Sequence, residues 1–168
     1  MAIKESILPE FDHEMATTRK LLERVPEQDA TWQPHERSMT LGRLAIHLAT
    51  LPAWGTMTMA QTEFDMNPPG GQPFQSPPFE TTAGALAAFD ENVARTRAAI
   101  AAASDQDFMV PWALKNGGQT IFTFPRVAVL RSFVVNHVIH HRGQLSVYLR
   151  LRDVPIPSIY GPTADEPM

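Results

Sequence analysis

Cysteine is absent from the 168 residues. That excludes a disulfide framework, a thiolate nucleophile and cysteine-type zinc sites. No run approaches the ~18 uninterrupted apolar residues of a membrane span, so no membrane contact is expected. Lys and Arg number 14 against 18 Asp and Glu, a formal net charge of −4, and no polybasic segment occurs, so the basic footprint of a nucleic-acid binder is missing. The opening stretch MAIKESILPEFDHEM carries acids and no continuous apolar core, unlike a secretory leader. Paired carboxylates at a convincing spacing, a glycine-rich phosphate loop, a serine-nucleophile motif and internal repeats are not found. These absences leave the expectation of a soluble cytoplasmic protein.

What is present reads as helix. The apolar share of 43% is ordinary for a globular chain, and the length suits one domain over residues 1–168 with a single core. Leu8, Phe11, Met15, Thr18, Leu22 and Val25 recur at alternating steps of three and four, a helical stripe that Pro26 stops. After the linker ATWQPHERSMT, with Ser38 or Thr40 as cap, Leu41, Leu44, Ala45, Leu48 and Leu51 mark a second helix. Pro52 should kink it or end it early; otherwise it reaches about residue 62. DMNPPGGQPFQSPPFE over 66–80 is too rich in Pro and Gly for helix or central strand, and is longer than an ordinary helix connection. Leu86, Phe89, Val93, Thr96 and Ile100 form a third stripe behind a Thr81 or Thr82 cap. In 105–124, two short runs flank Asn116-Gly117-Gly118, which reads as a small hairpin or an irregular excursion. Pro125 suits the first turn of a last helix, whose stripe runs through Leu130, Val134, His137, His141, Gln144 or Leu145, and Tyr148 to about Arg152. The expected architecture is all-α: a four-helix bundle with a long Pro-rich loop and a small hairpin before its last helix.

The stretch FVVNHVIHHRGQL holds three of the six histidines. His137 and His141, four apart, lie ~40° from each other on a helix, one turn above the other. His140 falls to the other side of His137. Two neutral imidazoles on successive turns can approach one ion at about 2.0–2.1 Å each. A third ligand must come from another helix, and His47, bordering the apolar face of the second helix, is the natural candidate. His13 lies off its helix stripe and His35 in a loop. The competing reading is a set of structural histidines, each satisfied by a hydrogen bond. Burying two imidazoles without partners costs about 1–3 kcal/mol each, so something must satisfy them. Three histidines would leave a coordination position open, the catalytic pattern for zinc; imidazole also suits nickel, copper and iron.

HVIHHRGQLSVYLRL, the upstream SMTLGRLAIHLATL and the tail VPIPSIYGPTADE together resemble the DinB/YfiT-like family, from about residue 5 to 166. The resemblance implies an up-down-down-up four-helix bundle, often a homodimer, with a divalent metal on His47, His137 and His141 and no metal role for His140. Zinc is the first choice of metal and nickel the second. Members of the family include thiol transferases that use low-molecular-weight thiols and proteins described as metal-dependent hydrolases. Some are named for induction by DNA damage, which implies a stress response. The implied activity is therefore a metal-activated thiol or water attacking a small molecule; the alternative is a non-catalytic metal-binding stress-response protein.

Around this set, Gln144 could hydrogen-bond a ligand or a water on the metal. Asp12 and Glu14 are the acids to inspect as a base. Arg43 or Arg126 could receive a carboxylate at the pocket mouth. Arg142 should point away from the ligands into a structural or dimer contact, and Gly143 should allow close helix approach. Tyr148, Trp32, Trp54 and Trp112 read as core, with the tryptophans as alternative pocket walls.

Overall fold

Two threonines set where the first helices after the linkers begin. Thr40 Oγ1 accepts from the Arg43 amide at 3.2 Å and starts helix α2 (Leu41–Thr50). Thr81 Oγ1 accepts from the Gly84 amide at 3.0 Å and starts α4 (Thr82–Ala102). The computed structural model describes residues 2–167. Helix α1 (Ile3–Leu22) ends before Pro26, as its stripe predicts, with Phe11, Met15, Leu21 and Leu22 buried. Pro52 separates α2 from α3 (Ala53–Ala60), so the predicted second helix is two. Gly55 lets α3 lie directly on α4: a Cβ there would stand 2.3 Å from Thr96 Cγ2.

Behind the Pro-rich segment and α4 come a short helix α5 (Asp105–Met109) and the hairpin β2 (Pro111–Asn116) and β3 (Gln119–Pro125). Gly117 and Gly118 take positive φ at its turn, as the Asn-Gly-Gly signal requires. A third strand, β1 (Glu63–Asp65), pairs parallel to β2. Asp65 holds this edge to the turn, accepting from the amides of Gly117 at 3.0 Å and Gly118 at 2.7 Å. The chain is thus mostly helical but not all-α, and the expected four helices are too few. Pro125 both ends β3 and caps the last helix, one position ahead of the expected first turn; that helix runs as α6 (Arg126–Val129), a π-helical segment (Leu130–Val135) and α7 (Asn136–Leu151).

Both α1 and α2 pack on α4 and α7, while α3 packs on α4 and the π segment. The buried apolar side chains form one connected cluster. Arg142 is part of that interior at 1% exposure. Its guanidinium pairs with Glu14 Oε2 at 2.7 Å and donates to the Glu14 carbonyl at 3.1 Å. It also donates to the Tyr160 hydroxyl, which in turn donates to Glu14 Oε2. The structural alternative predicted for Arg142 holds, whereas Gly143 faces open space and brings no helix close. Among the described residues, no helix is long and apolar enough to cross a membrane.

Candidate metal centre

Helix α2 presents His47, and α7 presents His137 and His141 one turn apart. Helix packing brings the three together: one ring nitrogen from each lies within 4.8 Å of the others. Ring centroids stand 5.2 Å apart for His47–His137, 4.5 Å for His47–His141 and 4.7 Å for His137–His141. His141 is buried and the other two are half-buried. His140 is exposed and stays outside the group. His13 and His35 are also exposed; the His35 ring accepts from the Arg37 amide.

The π segment ends two residues before His137. A wide turn of this kind shifts the helix phase by about one residue. The deepest line along α7 is accordingly Val138, Arg142, Leu145 and Leu149. His137 and His141 stand on one shoulder of that line, facing α2, and are not at its centre. The predicted stripe through Leu130 and Val134 misses this shift.

The hydrogen bonds show what the rings need. His141 Nδ1 lies 2.7 Å from Gln144 Oε1, which makes it the donor and leaves Nε2 a bare lone pair. That lone pair lies 2.9 Å from His137 Nε2. Without a cation, His137 must donate from Nε2, and its buried Nδ1 is then an acceptor with no partner. A cation between the rings removes the conflict. Both Nε2 atoms would then serve as ligands, and His137 Nδ1 would carry the ring proton, on a ring whose pKa the Phe133 carbonyl four residues back acts to raise. The donor set fits a divalent transition metal: three neutral imidazoles, one already oriented by an outer hydrogen bond.

The protonation equilibria agree. Burial, followed by the fields of His141, His137 and Arg43, pushes the His47 pKa down to about 4. Burial also lowers His137, ahead of the effect of His141, and lowers His141 against the opposing bond to Gln144. Each ring is therefore held neutral, the form that binds metal. The unfolded chain takes up protons near pH 6.5, while folded His47 takes one up only near pH 4. The stabilisation linked to a neutral His47 is fully present above pH 6.5 and is lost as the pH falls to about 4. In chelator, the urea midpoint of the native chain should therefore drop between pH 6.5 and 4. His47→Asn should flatten that drop, and parallel profiles for the two proteins would refute the assignment.

Several predicted neighbours lie elsewhere. Asp12 pairs with Arg97 at 2.8 Å and Glu14 with Arg142, so neither serves as a base at the histidines. Arg126 is buried and donates to the Gln61 carbonyl at 2.9 Å. Trp54 packs against Phe64, Phe74 and Phe133, and Phe133 reaches the His137 ring at 5.6 Å. Trp112 is fully buried, and Trp32 stacks edge-on against Tyr148. A cleft of about 780 Å³ opens beside α2, with His47 and Arg43 in its lining and residues 74–79 of the Pro-rich segment as its far wall. The sequence marks this segment only as a long loop; proline and glycine content carries no information about which helix it lies on.

The model of the DinB superfamily matches residues 10–145. YrdA of Bacillus subtilis strain 168 is 28% identical over 164 residues, covering 96% of this chain and 90% of its own. A DinB-like protein of Bacillus cereus ATCC 10987 superposes with a TM-score of 0.70 at 21% identity, over 95% of this chain and 98% of its own. A second DinB-like protein, YjoA of Bacillus subtilis, gives 0.67 at 20% identity, over 97% and 99%. At these identities the two structures speak for the fold.

Proposed function

This chain belongs to the DinB superfamily, and we propose that it binds one divalent metal ion through His47, His137 and His141 and acts as a metal-dependent enzyme on a small molecule. Zinc is the first choice of ion and nickel the second. The observation that carries the reading is the convergence of three imidazole nitrogens from two helices within 4.8 Å. An ion held by His47, His137 and His141 would supply Lewis acidity, which lowers the pKa of a thiol or a water.

The chain's own residues supply the rest. Gln144 fixes the His141 tautomer. Burial disfavours the protonated form of the three rings, which leaves their lone pairs free for an ion. The lining of the adjoining cleft contains no carboxylate. Attack by water benefits from such a general base. A thiol would be deprotonated by the ion itself and would need no such base, which favours thiol transfer over hydrolysis.

The test is a conjugation assay with the zinc-loaded protein, using cysteine or coenzyme A as thiol and monochlorobimane as electrophile. The rate should exceed the background by at least about a hundredfold, of the order of one well-oriented catalytic contribution, and should vanish in chelator and in His137→Ala. Ester hydrolysis with the same metal and residue dependence, without conjugation, would point to water instead. Inactivity in both assays would leave a non-catalytic metal-binding protein.

A further inference from the structure

The cleft beside α2 is walled before any ligand arrives. Phe74 stacks edge-on against Trp54 at 5.4 Å and Phe64 at 5.6 Å, and its amide donates to the Met66 carbonyl at 2.8 Å. Phe79 rests directly on α2, its Cδ1 3.0 Å from where a Cβ on Gly42 would stand. Both ends of the wall are therefore pinned, one by an aromatic cluster and the other by a glycine that admits a ring. Opposite lie the apolar side chains of Met39 and Ile46. Volume and lining match sites that take small, largely apolar molecules.

Arg43 and His47 are the only titratable groups in that lining, and Arg43 is the only fixed charge. Most arginines elsewhere in the chain are matched, among them Arg19, Arg97, Arg142 and Arg152, each facing a carboxylate; Arg126 is held by backbone carbonyls instead. Among the described residues, Arg43 pairs with none. It stands one turn from His47 on α2, close enough for its charge to act on that ring. A cleft with apolar walls at Met39, Ile46 and Phe79, uncharged polar groups at Thr31, Thr40, Gln75 and Ser76, one unpaired guanidinium and no acid selects an anion with an apolar body, and the planar fork binds carboxylate and phosphate alike.

We propose that the cleft between α2 and residues 74–79 binds a small amphiphile, its apolar body against Phe79, Ile46 and Met39 and its oxyanion head on Arg43. The inference deepens the proposed function by naming the substrate class. It rests on that reading for the ligand's encounter with the histidines, but not for binding.

Calorimetric titration separates the two. Octanoate, octyl phosphate, octanol and octylamine are titrated into the chelator-treated protein and again into the zinc-loaded protein. In the metal-free protein, octanoate or octyl phosphate should bind at least about tenfold more tightly than octanol and octylamine, as expected for a charge-assisted hydrogen bond. The tighter of the two anions identifies the head group. Arg43→Gln should abolish the preference while leaving octanol affinity unchanged, and Phe79→Ala should weaken anions and octanol by similar factors. Thermal melts of both variants check that they fold. Equal affinity for all four ligands, no binding at all, or an unchanged preference in Arg43→Gln would overturn the proposal. Anion selectivity in a protein that fails to take up zinc would leave the cleft standing and remove the metal reading. Zinc uptake without anion selectivity would do the reverse.

Discussion

Replacing His141 by alanine should cost the protein its metal. Apparent binding free energies of four-ligand zinc sites run at about 10–16 kcal/mol, so one imidazole accounts for roughly 3 kcal/mol, or more than about a hundredfold in affinity. His141 is the sharpest of the three to test. It is the most buried, and it alone has its tautomer set by a neighbour, through the 2.7 Å contact to Gln144. Competition against a chromophoric chelator should show the same order of loss for His47→Ala and His137→Ala. Gln144→Ala should lose about ten- to a hundredfold, the range for an outer hydrogen bond that orients a ligand. His140→Ala should bind like the native protein, since that ring is exposed and outside the group. Equal losses for His140→Ala and His141→Ala would mean that the cluster does not discriminate by geometry.

Arg142→Met should destabilise the fold by about 3–5 kcal/mol, because it strands a buried carboxylate. Glu14 and Arg142 are 6% and 1% exposed, so water cannot replace the lost partner. For a chain of this length that corresponds to a melting temperature lowered by roughly 10 °C. The double variant Glu14→Leu with Arg142→Met should be the more stable of the two, since replacing both charges removes the desolvated ion instead of isolating it. The pair ties α1 to α7 and, through Tyr160, to the C-terminal segment. Calorimetric melts check both proteins; a double variant as unstable as the single one would show that packing, not charge, sets the cost.

How much of this was legible in the sequence differs element by element. The boundaries of α1, α2 and α4 follow from apolar spacing, threonine caps and prolines, all of them local signals. The hairpin turn follows from Gly117 and Gly118, whose positive φ little else tolerates. The short β1 does not, since three residues carry no period and their partner lies some fifty positions away. The π segment is equally silent: helical counting assumes a constant turn, so one extra residue before His137 moves Arg142 from the expected outer face into the core. His47, His137 and His141 survive that error because two of them lie on the same side of the shift and the third is on another helix. The acids Asp12 and Glu14 looked available only because their partners, Arg97 and Arg142, lie far along the chain.

The central claim is that three imidazoles from α2 and α7 hold one ion. X-ray absorption at the metal edge, on protein purified without chelator, tests it most directly. The account predicts about one zinc or nickel per chain, with three nitrogen scatterers of imidazole type at about 2.0–2.1 Å and one further light ligand. A shell of oxygens only, or protein that takes up no divalent metal, would contradict it.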